Sequence, residues 1–344
     1  MHPTIDWNGR AIRGVPRTPL AGGWCGQLCQ IRGDWQFYCE CFYFPQWNSA
    51  DQMCWLCRAS SVDAGRLWTD FSRNAGWRET MWTHESYLHY RRTSGLAIPM
   101  LLRNGIGIIG LRLECVMVDV LHTIDLGLAC HIIANVMFII AVLRNVFGGA
   151  TYAERVKNLA RHMHEWYKKT KCTSKLQGKL TLERTRTSNN WPKLKANAAA
   201  TRHLAEYALH LMEEFGRGDA YDNDMATVCK LLVRFYELLK TETMFVSANA
   251  KKEFPVLAQA LTGIYQRLAS SAFEHGQTLW KLSPKMHLFV HLCEVQAVLN
   301  PRFFWTYGDE DLVGQIIDIA ATCHPWTLPF TVLFKWCHAS GLFN

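Results

Sequence analysis

The sequence predicts an α/β fold in which a mixed sheet core is interrupted by a large all-helical insertion, and three stretches predict it. Val116, Met117 and Val118 read as a short buried strand that carries Asp119 to its end, where a carboxylate can face a cleft. The apolar run from Leu128 to Leu143 behind it has the length of a core helix. From residue 191 to 282 the apolar positions recur at helical spacing, with Gly216, Gly218 and Asp222-Asn223-Asp224 marking a loop between helices. A chain of 344 residues, 49% of them hydrophobic, can bury such a core as one large domain or two.

Residues 1–20 contain Pro3, Pro16 and Pro19 without periodicity and read as a flexible leader. No apolar signal segment opens the chain, so its 13 cysteines point to a reducing, intracellular setting rather than to a disulfide scaffold. Gln27 to Arg32 has the makings of a second strand, again followed by an acid, Asp34. The aromatic stretch from Trp35 to Trp47, broken by Pro45, suits core and hairpin packing better than base stacking. Cys54 and Cys57 form a C-x2-C pair, the bite of a tetrahedral zinc site, and His84 and His89 supply a second pair at a suitable spacing. Cys39 and Cys41 compete as ligands, and buried free thiols or redox chemistry stay open. Gly105, Gly107 and Gly110 match G-x-G-x-x-G as a string, but a strand rather than a helix follows them, so no nucleotide cofactor is expected.

Asp119, His122 and Asp125 follow one another at intervals of three. A strand that ends in an acid and passes into an apolar helix is how ribonuclease-H-like nucleases present a metal ligand, although an Asp here equally serves as a helix cap. The run LACHIIANVMFIIAVL carries His131 and Asn135 and is short for a bilayer span, so a buried helix is expected and no membrane. Between Glu154 and Lys195 about a dozen Lys and Arg outweigh three acids, among them Arg155, Lys157, Arg161, Lys168, Lys169, Lys171, Lys193 and Lys195. With a net charge of +8, this segment reads as a DNA track or as a solvated helix face. Lys179 to Arg184 alternates like a last core strand. Ser283-Pro284-Lys285 opens a helix bearing His287 and His291 on one face, which suits packing or phosphate contacts because no H-E-x-x-H is present. Asp309, Glu310 and Asp311 then lead into an amphipathic helix, whose dipole they also suit.

Taken in order, Gly33-Asp34-Trp35, FPQWN, CWLC, DVLHTIDLG, PKLK with AAATRHL, SPKMHLFVHL and NPRFFWTYGDEDLVG resemble a eukaryotic cut-and-paste DDE transposase lineage allied to the CACTA and hAT groups, over roughly residues 25–340. The resemblance implies a ribonuclease-H-like core. Its first part would span 21–190 with a zinc-binding hairpin at 39–89, the helical insertion 191–282, and the C-terminal helices carrying the third acid 283–344. The first acid falls on Asp34, the second on Asp119 with His122 as its partner, and the third on Glu310, with Asp309 and Asp311 crowding that position. Such carboxylates hold two Mg²⁺ or Mn²⁺ ions about 4 Å apart for in-line phosphodiester displacement. The implied function is metal-dependent DNA cleavage and strand transfer in the nucleus, with a homodimer left open; one structural Zn²⁺ remains a candidate from the Cys and His spacing alone. The chain starts too close to Asp34 for an N-terminal DNA-binding domain, which suggests a truncated copy. The alternative is a catalytically decayed or domesticated fragment that binds nucleic acid or serves as a zinc-dependent interaction protein.

Overall fold

A helix that is apolar on every side is stable only where every side is covered. Leu121–Leu143, α3 in the numbering used below, is such a helix: only His122, Leu126 and Leu143 escape full burial. By length and composition it is apolar enough to cross a membrane, yet 89% of its most apolar window is buried inside the protein. The computed structural model describes residues 30–99, 102 and 111–340. Around α3 pack α4 (Tyr152–Thr170), α5 (Ala198–Phe215), α6 (Ala220–Thr241) and α8 (Pro284–His291), while α7 (Ala248–Glu274) lies against α6 and α8. Two shorter helices, α1 (Trp35–Phe42) and α2 (His84–Thr93), precede this array, and α9 (Tyr307–Ala321) and α10 (Leu328–Ala339) follow it.

The α/β expectation does not hold. Among the described residues there is no strand or sheet, only isolated bridges, and the fold is all-helical. Val116 does lie extended and bridges Ile31 in parallel, with the Ile31 N–H on the Cys115 carbonyl at 2.7 Å and the Met117 N–H on the Ile31 carbonyl at 2.8 Å. The pairing stops there because a side chain takes the place of the next strand. Gln296 accepts the Val118 N–H at 2.7 Å and donates to the Val116 carbonyl at 2.9 Å. Lys179 to Arg184 is likewise no strand: Leu182–Arg184 winds into a 3-10 turn, and the Arg184 guanidinium binds the carbonyls of Gln177, Lys179 and Lys195. Trp35–Phe42 is helix rather than hairpin, capped by Asp34. The leader 1–20, the start of the Gln27 to Arg32 segment and Gly105, Gly107 and Gly110 lie outside the described residues.

The helical stretch 191–282 contains α5, α6 and α7, each opened by a side-chain cap from Asn197, Asp219 or Ser247. Thr151 and Glu154 close a capping box on α4. The few polar groups inside α3 each fasten a different segment. The His131 ring binds the Pro192 carbonyl at 2.8 Å, and Asn135 accepts the Trp280 N–H at 2.9 Å. Asp125 accepts hydroxyls from Tyr236 of α6 at 2.5 Å and Tyr307 of α9 at 2.6 Å. Two parts of α3, Leu121–Ala129 and Phe138–Leu143, are wound as π-helix, as is Leu292–Gln296 directly after α8. Such winding is rare and concentrates near functional residues. By contrast α9 and α10 pack on each other with no buried residue, leaving Ile317, Trp326 and Phe330 exposed.

Burial pushes the Asp125 carboxyl up to about 7 in spite of its two hydroxyl donors. Its folded value lies above the unfolded one, so the unfolded chain releases this proton first and stability falls as pH rises between about 4 and 7. Urea titrations of wild type and Asp125→Asn should therefore diverge over that window by up to about 1.4 kcal/mol per pH unit, the wild type losing relative stability as pH rises. A difference that stays flat from pH 4 to 7 would remove the buried-acid assignment.

Candidate functional site

Two clusters of chemistry-bearing side chains stand out. The first joins the Cys54-to-Cys57 loop to α8. The C-x2-C loop turns so that the Leu56 N–H points at Cys54 Sγ, 3.3 Å away, a bond that favours a thiolate. On α8 the spacing of His287 and His291 places both rings on one face, and Pro284 in the first turn costs that helix no hydrogen bond. Cys57 Sγ lies 3.2 Å from His287 Nε2 and 3.3 Å from His291 Nε2, and the two Nε2 atoms are 2.9 Å apart. All four side chains are buried and their ligand atoms lie within 4.8 Å of one another. A tetrahedral ion with bonds of about 2.0 Å to nitrogen and 2.3 Å to sulfur needs ligand edges of roughly 3.3–3.8 Å. The observed separations of 2.9–3.3 Å lie at or just inside those edges, so a slight outward shift of the side chains lets the cluster hold a metal ion such as zinc.

The electrostatics agree with that chemistry. Burial works against a Cys54 thiolate, but the hydrogen bond from Cys57 and the charges of His291 and His287 outweigh it and hold Cys54 well below its ordinary value. Burial and the adjacent Cys54 push Cys57 the other way. Trp77 packs edge-on against both imidazoles, at 4.5 and 5.0 Å, and Arg78 covers the Trp77 ring while pairing with Glu294. Among the described residues neither Nδ1 atom has a hydrogen-bond partner, and both are buried, so packing against Trp77 is what orients the rings there.

The sequence places the second ligand pair wrongly. His84 Nδ1 instead accepts the Leu113 N–H at 3.1 Å, and His89 is exposed on α2. Cys39 and Cys41 are on α1, away from the cluster. His287 and His291, read from sequence as packing or phosphate contacts, take the ligand positions. They stand 230 or more residues from Cys57, and no local spacing rule reaches that far.

The second cluster contains the sequence-predicted acids. The Ile31–Val116 bridge sets Asp34 and Asp119 at the same offset, three residues beyond each bridged residue on neighbouring parallel segments. Asp119 is buried, and all four of its acceptor sites are filled. Oδ1 takes the N–H groups of Leu121 at 3.2 Å and Thr306 at 2.9 Å; Oδ2 takes the His122 N–H at 2.8 Å and His122 Nδ1 at 2.7 Å. The Thr306 bond anchors the start of α9, whose Glu310 reaches His122 Nε2 at 3.2 Å. His122 therefore stands between two carboxylates. Burial opposes its charge, but Asp119 first, then Glu310 and Asp34, raise its proton affinity. Asp309 forms a bidentate pair with Arg32 at 2.7 and 3.0 Å, and among the described residues Asp311 bonds only Gln315 on its own helix, which singles out Glu310 among the three. Asp34 caps α1 through one oxygen, accepting the Phe37 N–H at 2.6 Å.

Lys285 is the residue that sequence reasoning overlooks. Its ammonium is lowered by burial and feels the charges of Lys193, Asp119 and Asp34. Its stem lies against Gly127, where a Cβ would sit 2.7 Å from Lys285 Cδ. The glycine in DVLHTIDLG is the available sequence signal, since it marks a close approach. Asp34, Asp119 and Glu310, however, do not converge as the first cluster does; their oxygens are not all within 4.8 Å of one another.

The basic segment divides. Arg155 is tied to the carbonyls of Val142 and Gly149, whereas Lys157, Arg161, His164 and Lys168 recur every third or fourth residue along one exposed stripe of α4. Lys169 and Lys171 are exposed beside the stripe's end, Lys195 is exposed in the loop before α5, and Lys193 is half-buried near Lys285. No protein-family model and no curated protein matches the chain.

Removing the ion from the Cys-His cluster should lower the melting temperature by roughly 5–10 °C, the scale expected for a few kcal/mol in a protein this large. His291→Ala should co-purify with about one equivalent less metal than wild type. Equal metal content in the two proteins would show that this cluster is an apolar packing site.

Proposed function

We propose that the chain acts on nucleic-acid phosphodiesters at Asp34, Asp119, His122 and Glu310, in the manner of a transposase-type nuclease, and that zinc at Cys54, Cys57, His287 and His291 is structural. The observation that carries the reading is the link through His122. It joins two acids from distant parts of the chain, Asp119 on one ring nitrogen and Glu310 on the other, while the Ile31–Val116 bridge sets Asp34 on the neighbouring segment, where its charge is felt by His122.

Asp34 and Glu310 each keep an oxygen without a partner among the described residues, a donor set that suits a hard divalent cation such as Mg²⁺ or Mn²⁺. Asp119 has no spare acceptor site and becomes a ligand only by giving up an N–H donor. Bound metal would supply water activation and stabilisation of the leaving oxygen. The chain's own groups supply the rest. His122 holds a proton where a leaving oxygen could take it, Lys285 offers positive charge to the scissile phosphate, and the α4 stripe follows the backbone without reading sequence.

One observation favours a second reading. The filled acceptor set of Asp119 is what a purely structural cap looks like, and on that reading the protein binds nucleic acid without cutting it.

The two readings separate in a plasmid-nicking assay run with Mg²⁺ or Mn²⁺. Glu310→Gln changes an exposed side chain, so the fold should persist, and nicking should fall by about 100-fold with duplex affinity unchanged. Reversing the charges of Lys157, Arg161 and Lys168 should instead weaken binding to unrelated duplexes alike and reduce the salt slope by up to about three. Binding without any nicking by the wild type would favour the second reading, and nicking unchanged by Glu310→Gln would sink the first.

A further inference from the structure

Away from both clusters, the last turn of α5 faces the middle of α4. His210 and Glu214 are one turn apart on α5 and share a face, and His162 reaches them from α4. Glu214 Oε2 lies 3.1 Å from His210 Nε2 and 3.5 Å from His162 Nε2, so both imidazoles aim the same nitrogen at one carboxylate oxygen. The two rings are parallel, 5.9 Å between centroids at 6°. One ligand atom from each residue falls within 4.8 Å of the others.

Two further features distinguish this group from a surface ion pair. First, His162 is fixed before anything binds. Its Nδ1 meets the hydroxyl of fully buried Tyr207 at 2.9 Å, and Phe147 and Phe215 pack on the ring at 4.9 and 5.6 Å. A histidine that gives its Nδ1 proton to an outer acceptor presents Nε2 as a bare donor, the usual arrangement at metal-bound imidazole. Second, the group sits where a helix ends, and the unpaired carbonyls of a C-terminus favour positive charge.

From this geometry we propose that His162, His210 and Glu214 form an open site for a divalent transition metal, pinning α4 to α5. Two imidazoles and a carboxylate suit Zn²⁺, Co²⁺ or Ni²⁺ rather than Mg²⁺ or Ca²⁺. Three protein ligands leave a fourth position for water. The side chains are 20%, 31% and 45% exposed, so that position opens to solvent and the ion can exchange. The site contains no sulfur and therefore differs in kind from the buried Cys-His cluster. It does not depend on the phosphodiester reading.

The test is a Co²⁺ titration of the protein as purified, followed by visible absorption and equilibrium dialysis, with thermal melting in added Zn²⁺ as a second readout. Wild type should take up one extra equivalent with ligand-field bands and no new thiolate-to-cobalt band in the near ultraviolet. His210→Gln and Glu214→Gln replace partly exposed groups and should melt like wild type in chelator. Each should weaken the extra binding at least tenfold and abolish the Zn²⁺-dependent rise in melting temperature. The proposal is overturned if wild type shows no saturable extra equivalent, if both variants bind as wild type does, or if a new thiolate band accompanies the uptake.

Discussion

The demand that α3 be covered on all sides shapes the rest of the molecule. Burying each large aliphatic side chain contributes about 1.5–3 kcal/mol, and α3 presents Ile, Leu, Val, Met and Phe around its whole circumference. No single neighbour can satisfy such a surface, so α4, α5, α6 and α8 surround it. The same burial turns its few polar atoms into fasteners, because an unpaired donor or acceptor there would cost about 1–3 kcal/mol. Asp125, His131 and Asn135 tie α3 to α6, to α9 and to the segments at Pro192 and Trp280, and so set the register of the shell.

Much of the helical framework is legible in the sequence, and the reason is periodicity. The apolar run behind Gly127 and the amphipathic stretches that become α5, α6 and α7 carry their own signals, reinforced by caps at Asn197, Asp219 and Ser247. The supposed sheet failed for a specific reason. A short buried apolar run such as Val116 to Val118 has the composition of a core strand, but composition does not say who pairs with it. Here the partners are one residue of a neighbouring extended segment and the amide of Gln296, 178 and 180 residues away. The alternation at Lys179 to Arg184 misled in the same way, because Arg184 binds the carbonyls that a strand partner would have taken.

The acidic site shows the same division between local and distant information. Aspartate at the entry to a helix has two local meanings, ligand and cap, and Asp119 is demonstrably the cap of α3. What no local pattern contained is that this carboxylate also receives Thr306, and so fixes where α9 begins and where Glu310 can reach. One buried group thereby sets the positions of both His122 and Glu310. The acidic triplet at 309–311 was ambiguous as sequence; in space, Arg32 engages Asp309 and leaves Glu310 for the imidazole.

The ligands of the Cys-His cluster are split across the chain, with Cys57 and His287 separated by 230 residues. During synthesis at about 5–20 residues per second, the cysteine pair would emerge roughly ten to fifty seconds before the histidines. Throughout that interval the nascent chain carries half a site, two thiols open to oxidation or to capture of a stray ion. A separation of 230 residues makes closing this centre far costlier in chain entropy than closing a compact zinc finger, so it is poorly suited to nucleate folding. An ion bound by all four side chains would therefore be a late arrival, since the Cys54-to-Cys57 loop must first meet α8.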